Sequence, residues 1–257
     1  MGKFNDYFVL VTGGGSGIGA STAKKFAREG GEVILTGRTK EKLMKVQSEI
    51  KEEGGKADVF QADVTVEKEV HELAGFIEDK YGHLDILINN AGGSGMKGSL
   101  FSLSLDEWES VQRLNLNSVF LVAKELLPLL KKDTDRQPHV RPSIVNVSSL
   151  SGHKPGNNIP HYSASKAGVL NLTKTMASEC APFGIRVNSV SPGFIDTPLT
   201  EKSLENEKFQ KAVRRHTLLE RTGRAEEIAN VIAFAASEEA SYMTGSDLLA
   251  DGGWLAK

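Results

Sequence analysis

The sequence predicts an α/β fold: a parallel sheet covered by helices on both faces. Three observations carry this. Short apolar runs of four or five residues alternate with amphipathic helical stretches along the chain. The runs hold few charges, as strands buried on both faces must. The 257 residues show no low-complexity linker and no break in composition, so one domain over 1–257 with a large core is the economical reading.

The apolar runs are 7–11, 33–36, 58–61, 84–88, 144–147, 186–190 and 247–250. Helical patterns fall between them at 20–29, 41–53, 67–81, 105–131 and 225–237. A further helix follows Tyr162, where Ala164, Ala167, Val169, Leu170 and Leu172 run without a proline before Pro182. Strand-helix alternation repeated this often calls for right-handed βαβ units. Two segments depart from it. Residues 131–142 are polar with two prolines and read as an exposed loop. Residues 194–219 are too long for a simple connection. Leu199, Leu204, Phe209 and Val213 give them a partly helical apolar stripe, which would serve either as a substrate lid or as ordinary core contact.

Charge and composition narrow the function. With 31 basic and 33 acidic residues, a net charge of −2 offers no electrostatic footing for nucleic acid or an anionic membrane. The pairs Lys131-Lys132 and Arg214-Arg215 read as solvated helix faces. The lone cysteine, Cys180, cannot form an internal disulfide or a cysteine-rich zinc site, and suits a reducing cytoplasm. Its place on the helix after Tyr162 suggests a small packed side chain. The six histidines lack ligand spacing, so no catalytic metal is expected. No stretch approaches the ~20 apolar residues of a membrane span. The N-terminal residues show neither a signal core nor a myristoylation pattern.

Val9-Leu10-Val11-Thr12-Gly13-Gly14-Gly15-Ser16-Gly17-Ile18-Gly19 reads as strand, glycine-rich turn and helix start. Glycines let a backbone approach a ligand closely, and the helix offers free N–H groups and its positive end to a pyrophosphate. The position directly after the first strand is the context dinucleotide binding requires. At the end of the second strand, Thr36-Gly37-Arg38-Thr39 lacks the carboxylate that would hold a ribose 2′-hydroxyl. Arg38 would instead pair with a 2′-phosphate, which favours NADP(H) over NAD(H).

Tyr162 and Lys166 sit four residues apart in His161-Tyr162-Ser163-Ala164-Ser165-Lys166, with Ser149 thirteen positions upstream. On a helix the first two share a face. A nearby lysine cation would lower the tyrosine pKa from about 10 and fit the phenol for proton transfer near neutral pH.

Taken in order, Thr12–Gly19, Asp63-Val64, Asn89-Asn90-Ala91-Gly92, Asn115, Ser149, Tyr162, Lys166 and Pro192-Gly193 resemble the motifs of the short-chain dehydrogenases/reductases. The resemblance covers nearly the whole chain, through Asp251-Gly252-Gly253. It implies a single Rossmann-like domain with a seven-stranded parallel sheet, assembled as a homotetramer. By the same resemblance Asp63, beside Val64, would contact adenine, and Asn90, Ala91 and Gly92 would line the cofactor with Gly13, Gly15, Ser16, Gly17, Ile18 and Gly19. Pro192, Gly193, Ile195 and Thr197 would form the segment that meets the nicotinamide. Asn115 would hold a proton-relay water. Ser149, rather than the structural Ser148, would bind the carbonyl oxygen that Tyr162 protonates, and Lys166 would also hold ribose hydroxyls.

The expected activity is hydride transfer between NADP(H) and a carbonyl or secondary alcohol. A 3-oxoacyl thioester, a sugar, a steroid and a small alcohol are all open as substrates. The apolar lid candidates and Ile159 favour an apolar or acyl group. His153, Asn157, Asn158 and His161 would allow polar contacts. A non-catalytic dinucleotide-binding regulator is the reading from another class; against it stand Asn115, Ser149, Tyr162 and Lys166, all present.

Overall fold

The protein is described by a computed structural model over residues 2–132 and 142–257. Most of the 131–142 loop expectation therefore lies outside the described residues. In chain order, β1 (Phe8–Thr12), α1 (Gly17–Arg28), β2 (Glu32–Gly37), α2 (Lys40–Glu52), β3 (Lys56–Gln61), α3 (Glu67–Tyr81) and β4 (Ile86–Asn89) form the first half. After α4 (Leu105–Gln112) and α5 (Ser118–Lys131) come β5 (Ser143–Val147), α6 (Pro160–Cys180) and β6 (Arg186–Pro192). The excursion β7 (Ile195–Asp196), α7 (Glu201–Leu204), α8 (Glu207–His216) and β8 (Gly223–Arg224) follows, then α9 (Ala225–Ala236) and β9 (Asp247–Ala250).

β1 to β6 and β9 build one seven-stranded sheet in the order β3-β2-β1-β4-β5-β6-β9, every pair parallel. The apolar runs explain its burial. Successive side chains point to opposite faces. Val9, Val11, Val33, Leu35, Ile86, Ile88, Val145 and Val147 pack with α1, α2 and α9. Leu10, Ile34, Leu87 and Ile144 pack with α3, α5 and α6. The result is the Rossmann-like three-layer arrangement, and all seven sheet strands fall where the sequence placed them. Cys180 is a buried free thiol in the second layer, as expected.

One helix departs from expectation. The 105–131 pattern is not continuous: a π-helical segment, Arg113–Asn117, separates α4 from α5. The cause is Asn115, whose Nδ2 donates to Val111 O at 3.0 Å and to Gly93 O at 2.8 Å. A side chain that competes for backbone acceptors loosens the regular ladder, and such bulges recur at functional sites.

The strand order turns at β1 and β4, whose connections run to opposite sides of the sheet. A crevice opens beyond the carboxyl ends of strands at such a point. Because every strand is parallel, the segments after β1, β2, β3, β4, β5 and β6 all emerge along one edge.

Candidate active site

Thr12 closes the floor of this crevice. Its Oγ1 donates to Ile88 O at 3.2 Å and accepts from Asn90 N at 2.9 Å and Ala91 N at 3.0 Å. Asn90 Nδ2 donates to Thr12 O at 2.9 Å. The ends of β1 and β4 are thereby locked side by side. Gly13 (φ +65°) and Gly17 (φ +53°) hold left-handed conformations that side chains resist. A methyl group on Gly19 would stand 2.2 Å from Gly13 O, and one on Gly17 would stand 3.3 Å from Thr197 Cβ. Sequence-distant Thr197 thus touches the glycine turn.

The turn fits a dinucleotide phosphate. Ser16 caps α1 with extended backbone and no side-chain bond to it, and the first turn carries no acidic residue. The N–H groups and positive end of α1 are left to an anion. Ile18, Val64 and Ile195 pack their side chains on or in the core, so backbone groups are what they offer a ligand. Asp63 Oδ1 accepts from Thr65 N at 2.9 Å and Thr65 Oγ1 at 2.7 Å, which fixes the carboxylate after β3. Gly193 N donates to Ala250 O at 3.0 Å, and a methyl there would meet Asp251 Cα at 2.6 Å. Arg38 is exposed at the end of β2 and has no ion-pair partner among the described residues.

The proton-handling residues converge from three elements. α6 begins with Pro160 at its first position, where a missing N–H costs nothing. Tyr162 and Lys166 share its inner face, with Lys166 Nζ 5.8 Å from the Tyr162 ring centroid. Lys166 is buried and donates to Val147 O at 2.8 Å, at the end of β5. A methyl on Gly92 would stand 2.8 Å from Asn115 Oδ1 and 3.4 Å from Lys166 Nζ, so the β4 turn, the π segment and α6 meet here. Asn115 is fully buried, and its Oδ1 accepts from Gly93 N at 3.0 Å. Ser148 donates to Lys166 O at 2.9 Å, which suits the structural part expected of it.

The electrostatics correct one expectation. Lys166 does not pull Tyr162 below the ordinary tyrosine value. Burial pushes the Tyr162 hydroxyl above the ordinary tyrosine value, and a hydrogen bond with Ser149 acts in the opposite direction. Burial also lowers Lys166, to about 8. A cation this costly to bury, already bonded to a backbone carbonyl and 5.8 Å from the ring centroid, does not offset the desolvation of the phenol.

Two histidines near the tyrosine differ in their surroundings. The His153 ring bonds to the sheet, with Nε2 2.9 Å from Asp247 Oδ2. His161 is fully buried with no hydrogen-bond partner at either ring nitrogen. The polar ladder Asn89–Asn146–Thr173, with bonds of 2.9 and 3.0 Å, joins β4, β5 and α6; the sequence singled out Asn89 but neither Asn146 nor Thr173. Its signal is there: Asn146 interrupts the apolar run 144–147, and a polar residue inside a buried strand requires a partner.

The 194–219 excursion is α7 and α8 above β7 and β8. Its stripe divides. Val213 is buried, and Phe209 meets Phe194, which also packs on Trp254. Leu199 is 55% exposed. Lys97 Nζ donates to Ser203 Oγ at 3.3 Å, linking the loop after β4 to α7.

No helix among the described residues is long and apolar enough to cross a membrane. No group of three or more His, Cys, Asp or Glu among them could hold a metal ion. A model of the Enoyl-(Acyl carrier protein) reductase family matches residues 13–255. The chain is 41% identical over 244 residues to the 3-oxoacyl-[acyl-carrier-protein] reductase FabG of Thermotoga maritima, covering 95% of this chain and 96% of that one. It is 38% identical to the cyclopentanol dehydrogenase of a Comamonas species over all of both chains. A short-chain type dehydrogenase/reductase from Mycobacterium marinum superposes with a TM-score of 0.92 at 34% identity, covering 99% of this chain and 98% of that one. Motif order, sheet topology and these likenesses agree: the chain belongs to the short-chain dehydrogenase/reductase family and is 3-oxoacyl-reductase-like within it.

Proposed function

We propose that this oxidoreductase interconverts a carbonyl compound and its secondary alcohol using NADP(H), with Tyr162 as general acid and base. The observation that carries the reading is the meeting of Ser149, Tyr162, buried Lys166 and Asn115 beside the glycine turn. When bound, the cofactor supplies or takes the hydride. Ser149 donates a hydrogen bond to the substrate oxygen and holds it against the Tyr162 hydroxyl. Tyr162 gives its proton to that oxygen during reduction and takes it back during oxidation. Lys166 holds ribose hydroxyls and, as a cation, favours the phenolate once charge develops there. Asn115 maintains the bulge that orients the proton path. Arg38 pairs with the 2′-phosphate.

Residues 194–219 act as the lid. Met96, in the loop after β4, and Leu199 are both exposed and would suit an apolar or acyl carbonyl, the class named for the Thermotoga relative. The same reading carries a cytoplasmic homotetramer; light scattering that returns a monomer would remove the tetramer from it.

The test is NADPH consumption by wild type and Tyr162→Phe against ketones and acetoacetyl thioesters. The variant is expected to lose turnover by at least about 10²–10⁴-fold while binding NADPH normally. Near-normal turnover would sink the assignment. Wild-type silence across the panel, with tight NADPH binding, would favour a dinucleotide-binding regulator instead.

A further inference from the structure

Ser149 opens the short 3₁₀ turn Leu150–Gly152. Its Oγ accepts from Ser151 N at 3.1 Å, and Gly152 N donates to its carbonyl at 2.9 Å. His153 ends the turn, with its N–H on Leu150 O at 3.0 Å. The His153 ring reaches the sheet: Nε2 lies 2.9 Å from Asp247 Oδ2 and 3.3 Å from Ser191 Oγ. The other carboxylate oxygen, Asp247 Oδ1, accepts from Ser189 Oγ at 2.6 Å and Ser191 Oγ at 2.9 Å. Ser191 directly precedes Pro192-Gly193. One carboxylate at the start of β9 therefore ties the Ser149 turn to the end of β6.

Serine, histidine and aspartate together invite comparison with a nucleophilic triad. Ser191 is fully buried and spends its proton on Asp247, so no reacting group can reach it.

We infer that His153 and Asp247 are positioning residues that set Ser149 against the nicotinamide-side strand end. The inference rests on the catalytic part proposed for Ser149. A turn of three residues is held weakly by its own bonds. The reach to Asp247 anchors it to two sheet strands, through hydrogen bonds to a carboxylate that are stronger than neutral ones. Catalysis is sensitive to displacements of about 1 Å at such a group.

The test uses the full chain with a ketone that wild type reduces. His153→Ala is expected to lower kcat about 10-fold, with KM and the NADPH Kd within about twofold. His153→Gln, whose amide still donates to Asp247, should recover to within about threefold. In a Ser149→Ala background, adding His153→Ala should cost nothing further, because residues acting as a unit are not additive. Wild-type kcat in His153→Ala, or an equal loss in both backgrounds, would overturn the inference. An active Tyr162→Phe enzyme would overturn the parent reading; an inactive one beside an unaffected His153→Ala enzyme overturns this inference alone.

Discussion

Arg38 illustrates what one residue decides. It stands exposed at the end of β2, beside Gly37, where a carboxylate would exclude a 2′-phosphate. Arg38→Asp is expected to weaken NADPH binding about 10- to 100-fold, the worth of one or two charged hydrogen bonds, and to improve NADH binding. Fluorescence titration with both cofactors checks this; equal loss for both would refute the role. At this scale the candidate site was legible, because Tyr162, Lys166 and Ser149 are recognisable by identity and spacing. The sign of the Tyr162 shift was not. Four-residue spacing says that a lysine is near but not how dry its surroundings are, and dryness wins here.

Elements hold the site through polar ties that periodicity does not display. The Thr12 hydroxyl satisfies Asn90 N and Ala91 N at the junction of β1 and β4. Thr12→Val keeps the shape and removes the acceptor. Ala91 N then loses its acceptor, while Asn90 N keeps Ile88 O at 3.1 Å, and the loss should be about 1–3 kcal/mol of stability with weaker NADPH binding. Urea unfolding reads it, and an unmoved midpoint would show that the tie is idle. The strands were legible because an apolar run and its alternation are properties of the local chain. The break at Arg113–Asn117 was not, since it depends on Gly93 lying beside Asn115.

The whole molecule sets the protonation of Lys166. Its pKa is about 8 folded against 10.5 for an ordinary lysine. Below pH 8 both states are charged, and the fold bears the full cost of the buried cation. Between about 8 and 10.5 the unfolded chain binds more protons, so stability from this group rises with pH. The unfolding free energy of cofactor-free wild type, taken relative to Lys166→Met, should therefore climb by up to about 3 kcal/mol across that window. A flat difference would mean that Lys166 is not desolvated. The sequence alone determined the seven sheet strands, most of the helices and the candidate site residues, because each is written in neighbouring residues. Only the tertiary structure decided that six strand ends share one edge, that Thr197 meets Gly17, and that His153 finds Asp247, 94 residues away. Those facts follow from parallel strand order, which brings distant segments together and leaves no trace in local spacing.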